Sequence, residues 1–430
     1  MSPEQRPAWP WARGELSSWL WLGTSYGLSA VFSFAYVALA GRRLGPASAA
    51  DFYSGLFAIY LIAMLVWPLG GAVSRTTAAA IALDRRSGIV SHQRRVRHTT
   101  LAGVTVIALL AAAGVPHMTR TLGLGSNAPL LVALATALFL GVLSVDRGFL
   151  RGAGDFRAFS TNQATESSLR LLCGIGAVVW WPTASATLAA YLAACAGAWL
   201  LARRQVDRLG SELAGSVSAT DRHPSLPEGH DTWRWILPLL VVAVAEAGYQ
   251  NLDPLVARAT LDAESAGAYG AAAALARTFG ILASPFVATA LPDASSASAR
   301  GGGVLASFGR TVTAFLLVAG LPLIACAFMP LQIVTSILGN EFSESAKLLP
   351  ILALAWTAGC AALLATQALI AAGRVAFLWF FLAGLGVEAW LLLRAEPSAL
   401  DLARVTLAVK GTVLLLLLGV LAHSRHRGTG

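Results

Sequence analysis

At 430 residues, 56% of them hydrophobic and only 12% charged, with a mean hydropathy of +0.66, the chain carries more apolar surface than a soluble fold of two or three domains can hide. Its solvent is therefore lipid, which excludes a soluble enzyme or binding module. The net charge of +9 would suit nucleic acid, but its distribution along the chain points to a membrane surface and to no nucleic-acid partner.

A bilayer core about 30 Å thick takes roughly 20 apolar residues per helix. Twelve such runs follow one another, near residues 16–40, 51–74, 100–116, 127–145, 161–180, 184–202, 234–257, 266–291, 308–330, 345–371, 375–393 and 402–422. The first ends in Ala38-Leu39-Ala40, which imitates a signal-peptidase site. Its apolar stretch exceeds the roughly 7–15 residues of a signal peptide, so it reads as an uncleaved helix. Trp9, Trp11, Trp19 and Trp21 sit around its start as interfacial anchors. Inside it, Gly23-Thr24-Ser25-Tyr26-Gly27 matches the G-x-S-x-G nucleophile elbow, but no strand precedes it, so small-residue helix packing is the better reading.

The expected fold is an all-α polytopic membrane protein of about twelve helices in two bundles. The predicted units are a cytoplasmic N-terminus (1–15), a six-helix bundle (16–202), a polar, turn-rich cytoplasmic linker (203–233), a second six-helix bundle (234–422) and a cytoplasmic tail (423–430). Threaded with the N-terminus inside, 20 of the 31 basic residues fall on the cytoplasmic side and 7 outside. This positive-inside bias places both termini in the cytoplasm and the chain in the cytoplasmic membrane.

Between the fourth and fifth runs, SVDRGFLRGAGDFRAF gathers Asp146, Arg147, Arg151, Asp155 and Arg157. It reads as an inner loop in which Gly152 and Gly154 make the turn and the arginines hold the anionic leaflet. A phosphate cradle built on its bare G-x-G would need a strand-to-helix context that is absent. The four cysteines, Cys173, Cys195, Cys326 and Cys360, lie in four separate runs with no metal-ligand spacing and read as packing residues. No metal centre or catalytic motif is expected. A membrane glycosyltransferase or polymerase would need an outer loop larger than those near 117–127 and 331–344.

The chain repeats. ALAGRRLGPASAADFYSG (38–55) and PLVARATLDAESAGAYGA (254–271) match at a shift of 216, which pairs Arg42 with Arg258, Ala50 with Ala266 and Tyr53 with Tyr269. LRGAGDFRAF followed by Glu166 likewise matches LIAAGRVAFL followed by Glu388. Both copies start on the same side, so the halves are parallel repeats.

These segments resemble a known family. LAGRRLGPASAADFYSGLFAIY is similar to the signature after helix 1 of oligosaccharide flippases in the multidrug, oligosaccharidyl-lipid and polysaccharide exporter superfamily. RGFLRGAGDFRAF with TESSLRLL, NLDPLVARATLDAESAGAYGAAAALAR, and LGNEFSESAKLLPILALAW with ALIAAGR resemble its later segments, in order, over about residues 20–375. The resemblance implies two six-helix bundles in a V around a cavity that opens alternately to either side. It also implies a lipid-linked oligosaccharide moved from the inner to the outer leaflet, with membrane lipids and glycan-assembly enzymes as partners and no enzymatic role. A cation-coupled multidrug antiporter of the same superfamily is the alternative, although residues 16–40 lack the carboxylate and proline that such members carry in helix 1.

Ionisable side chains at bilayer depth cost at least about 2.5–3.5 kcal/mol each, so they should face a cavity or a partner. Glu166 and Arg170 are spaced to pair along one helix face, either as a structural pair or with Arg170 available to a phosphate. Arg75 either snorkels to the interface or joins them. Arg277 lies near mid-membrane and resembles, by helix and depth, one of the cavity arginines of lipid II flippases. A guanidinium stays charged and can grip a pyrophosphate with paired hydrogen bonds. The seventh run places Glu246, Gln250 and Asp253 on one face, with Pro254 just beyond. With Glu388 and Lys410 at comparable depth, they are candidates for a coupling Na⁺ or H⁺, and no other cofactor is expected. The layout resembles the Na⁺ region of some lipid II flippases only by helix. A Glu388–Lys410 ion pair is the competing reading, and it would put an ammonium where a metal ion belongs.

Overall fold

In the computed structural model, residues 15–82, 89–215, 230–283, 286–287, 290, 304–371 and 377–426 are described. The described elements are helical throughout. They are α1 (Glu15–Ala82), α2 (Ile89–Thr121), α3 (Ala128–Gly152), α4 (Phe156–Trp180), α5 (Ala184–Gly215), α6 (His230–Thr260) and α7 (Ala263–Ala276). There follow α8 (Val304–Phe328), a short α9 (Pro330–Ile337), a 3-10 turn (Asn340–Phe342), α10 (Ser345–Ala371), α11 (Phe377–Arg394) and α12 (Ala399–His426). After a turn at Arg277, α7 resumes as helix to residue 283.

At 68 residues, α1 would be about 100 Å long if straight, some three times the bilayer core. It is two crossings joined at an elbow, where Gly45 takes φ 69 and Pro46 follows. Only glycine enters that left-handed region without strain. Among the described residues, nine helices are long and apolar enough to cross a membrane, α1 counted once over Trp21–Ala78. The two long helices outside that set, α4 and α6, are the ones carrying Glu166, Arg170, Glu246 and Asp253. Splitting α1 and adding these two gives the expected twelve spans.

The first bundle is built on α1, whose arms pack against α3, α4 and α5, with α2 on the back of α3. In the second, α10 packs on α7, α8 and α12, while α11 packs on α6 and α12. The bundles meet where α1 runs against α6 and α7. The ends of the predicted units shift where polar sequence continues a helix: α5 runs on to Gly215 through the expected linker, and α6 begins at His230. Residues 1–14, 216–229, 427–430 and Arg374 lie outside the described residues.

Small residues let the backbones approach closely. A Cβ at Gly148 would stand 2.3 Å from the Gly70 carbonyl oxygen, and one at Gly152 would stand 2.4 Å from that of Ser74. Gly152 therefore serves α1–α3 packing. The turn itself is made by Gly154 at φ 79 and by Asp155, whose side chain accepts from the Ala158 N–H at 2.9 Å and caps α4.

At the opposite end, the bundles are sealed together. Gly267 faces the elbow so closely that a Cβ there would lie 1.9 Å from the Pro46 carbonyl oxygen, and Gly270 sits under the Tyr53 ring. Arg258, at the end of α6, pairs with Asp51 Oδ1 at 2.9 Å and also donates to the Gly123 carbonyl, tying three segments together. Bulk at Gly267 should pry this seal apart. In a background without the native cysteines, Gly267→Leu should raise labelling of Ala49→Cys, buried at this end, by a membrane-impermeant maleimide several-fold; unchanged labelling would contradict a seal made at that contact.

Candidate functional site

Beneath the seal, a cavity of about 900 Å³ separates the bundles and reaches down to the α3–α4 turn. Both arms of α1 line it, with α3, α4, Tyr191 of α5, and residues of α6, α7, α10, α11 and α12. Among the described residues, its charged lining consists of Arg147, Arg151, Arg170, Arg277 and Lys410 against Glu166 and Glu246, so the formal charge they bring is positive.

In the first bundle, Glu166 on α4 bridges two arginines. Its Oε1 stands 2.6 Å from Arg170 Nη2 one turn on, and its Oε2 stands 2.8 Å from Arg147 Nη1 on α3. Arg147 Nε also donates to Asn162 Oδ1 at 2.8 Å, and Asn162 is fixed in turn by the Ala198 carbonyl at 2.7 Å. Arg170 lies 4.1 Å over the Tyr191 ring. Arg151 stacks 5.4 Å over Phe159 and keeps a buried Nε with no hydrogen-bond partner among the described residues.

In the second bundle, Arg277 is clamped at the seam. Its guanidinium lies 4.0 Å over Tyr60 of α1 and 5.3 Å from the Trp356 ring of α10, contacts worth about 0.5–2 kcal/mol each. Its Nη1 donates to Asn251 Oδ1 of α6 at 2.9 Å. The start of α7, which carries Arg277, is set by Asp262: its Oδ1 accepts the N–H groups of Glu264 and Ser265, both at 3.0 Å, and these bonds hold its carboxyl below the usual carboxylate range. On α6, Gln250 donates to Glu246 Oε1 at 2.8 Å, and both line the cavity.

Behind this wall, Asp253 and Glu388 are fully buried and lie outside the cavity lining. Asp253 Oδ2 accepts from Tyr269 at 2.9 Å, and its Oδ1 is 3.8 Å from Lys410 Nζ. Lys410 thus pairs with Asp253, whereas neither Glu388 oxygen has a hydrogen-bond partner among the described residues. The carboxylates and the nearby Thr406 hydroxyl would suit a hard cation. The ammonium does not. A metal ion about 2.4 Å from Asp253 Oδ1 would stand no more than about 6 Å from Nζ, where two unit charges repel by about 3 kcal/mol or more at an effective dielectric of about 20. With Lys410 in place, these residues do not fit a metal ion.

The structure thus brings Glu166, Arg170, Arg277, Glu246, Gln250 and Lys410 to one cavity and sets Asp253 and Glu388 just behind it. Arg75 is exposed near the C-terminal end of α1 and is not among the residues that line the cavity. Arg147 and Arg151, expected to anchor a surface loop, instead turn into the cavity, because α3 extends to Gly152 and carries both within the helix. Their spacing of four residues was the available signal, since it puts both on one face. Asn251 lies off the Glu246–Gln250–Asp253 face and had no such signal.

The model of a polysaccharide biosynthesis protein family matches residues 16–297. Among curated proteins, none matches the chain. Several solved structures share its fold. A multidrug resistance MATE transporter of the MOP superfamily in an inward-facing conformation has a TM-score of 0.69 at 15% identity, covering 94% of each chain. A MOP superfamily transporter from Pyrococcus furiosus, described as having a binding pocket of reversed polarity, has a TM-score of 0.68 at 14% identity, covering 96% of this chain and 95% of that one. The lipid II flippase MurJ in an inward closed conformation has a TM-score of 0.67 at 11% identity, covering 93% of this chain and 87% of that one.

The Glu166 bridge occupies the two arginines that an incoming anion would seek. Glu166→Gln should therefore raise the affinity of the purified protein for inorganic pyrophosphate about tenfold, or about 1.4 kcal/mol, by titration calorimetry. An unchanged affinity would mean that Arg147 and Arg170 do not meet anions.

Proposed function

Since the chain belongs to the polysaccharide biosynthesis protein family, we propose that it is a flippase that carries a lipid-linked oligosaccharide from the inner to the outer leaflet of the cytoplasmic membrane by alternating access. The observation that carries this reading is the cavity itself: a headgroup-sized space between two bundles, lined by four arginines and one lysine against two carboxylates, beneath a sealed roof.

The cargo chemistry follows from those groups. A diphosphate linker offers several anionic oxygens, and guanidinium forks bind such groups with paired hydrogen bonds while staying charged. Arg277 is the principal ligand because it stands at the seam, bonded to Asn251 and faced by rings from both bundles. Arg170 and Arg147 follow, released in part from Glu166 as phosphate arrives, and Arg151 brings an Nε with no partner among the described residues. The exchange of one anion for another keeps the grip moderate, as release requires.

The positive-inside bias of the sequence supports a cytoplasmic α3–α4 turn, and the cavity, which reaches that turn, would open there. The sealed end then faces outward. Transport requires the Arg258–Asp51 pair and the Gly267–Pro46 contact to part while the mouth closes, with the bundles rocking about α1 against α6 and α7.

Reconstitution tests the reading. In vesicles carrying a fluorescent polyprenyl-diphosphate oligosaccharide, the wild-type protein should speed its appearance in the opposite leaflet. Arg277→Ala should slow that at least tenfold while inserting normally. Wild-type rates in Arg277→Ala would remove the arginine from the account. Export of organic cations with no glycolipid movement would favour a multidrug transporter.

A further inference from the structure

The two copies of the repeat treat the same carboxylate differently. Glu166 and Glu388 correspond, yet Glu166 is held by Arg147 and Arg170, while Glu388 is fully buried with neither oxygen bonded among the described residues. The registers explain the loss: the shift that matches the two glutamates puts Leu392 opposite Arg170, and the shift of the preceding turn puts Thr366 opposite Arg147. The second bundle has kept the acid and discarded both of its cations. An ionised Glu388 would need a cation from elsewhere.

We propose that Lys410 is the resident cation of this pocket, holding the seat that an inorganic coupling ion would take, so that the protein works without Na⁺. Lys410 Nζ is 3.8 Å from Asp253 Oδ1, and Glu388 lies within electrostatic reach of both. The lysine is 4% exposed, yet it also borders the cavity, 5.6 Å over the same Trp356 ring that faces Arg277. Its flexible stem therefore stands between the buried acids and the cargo space. A tethered ammonium is present at fixed stoichiometry and does not dissociate into either compartment. Ambient sodium then drops out of the pocket's occupancy. The inference deepens the carrier reading and rests on it, but its test uses no glycolipid.

Thermal unfolding of the purified full-length protein should give the same melting temperature in NaCl and in equimolar KCl. Lys410→Met removes the amine but keeps the bulk. It should acquire a sodium-specific rise of roughly 2–4 °C, together with ²²Na⁺ binding, and both should be lost in Lys410→Met/Glu388→Gln. A sodium-specific rise or ²²Na⁺ binding in the wild-type protein would overturn the proposal, as would a folded Lys410→Met variant indifferent to sodium. If Lys410→Met does not accumulate as a folded protein, the proposal requires that sodium, and not potassium, restore its yield; failure of that rescue overturns it as well. Loss of flipping with these sodium responses intact would count against the carrier reading and leave the pocket assignment standing.

Discussion

A charged side chain held at bilayer depth needs a partner, water or both, and most of this architecture can be read as the consequence of that one requirement. Two of the helices that carry such groups, α4 and α6, fall outside the set of strongly apolar spans, while α7, α11 and α12 carry Arg277, Glu388 and Lys410 within otherwise apolar ones. Of these, α4 lies against α1 and α5, α6 lies against α1 and α11, and the cavity supplies access to both. Lipid-facing helices such as α2 and α8 bury little of themselves. Polarity is confined to the interior, and the cavity is the result.

Duplication supplied two copies of this solution, and they have diverged. Tyr53 packs under Gly270 at the seal between bundles, while its counterpart Tyr269 donates to Asp253 deep in the second bundle. Arg258 pairs across the seal with Asp51, but its counterpart Arg42 is exposed, because the position matching Asp51 is Gly267, where the elbow leaves no room for a side chain. The first bundle thus holds two arginines around one acid, and the second holds two buried acids near one ammonium. Both bundles present cations to the cavity, and the second sets two buried acids behind its wall.

Much of this was legible in the sequence because it depends on composition and local spacing. The twelve spans follow from apolar run lengths, and the Glu166–Arg170 pair from its four-residue spacing. Arg277 stood out because it falls near mid-membrane, too deep to snorkel with ease. What stayed hidden depends on which way a helix is rotated and on contacts between distant segments. Arg147 and Arg151 look like loop residues until α3 is seen to continue through them. Lys410 chooses Asp253 over Glu388 for reasons of rotation between α6, α11 and α12 that no spacing encodes. Asn251 and Tyr60 matter only because Arg277, on another helix, reaches them.

The central claim is that the cationic cavity recognises the phosphate linker of a lipid-borne cargo, and retention of defined lipids by the purified protein in native mass spectrometry tests it most directly. A polyprenyl diphosphate should remain bound through detergent removal while the matching uncharged polyprenol is lost, and Arg170→Ala/Arg277→Ala should abolish the difference. Equal retention of the two lipids by the wild-type protein would contradict the account.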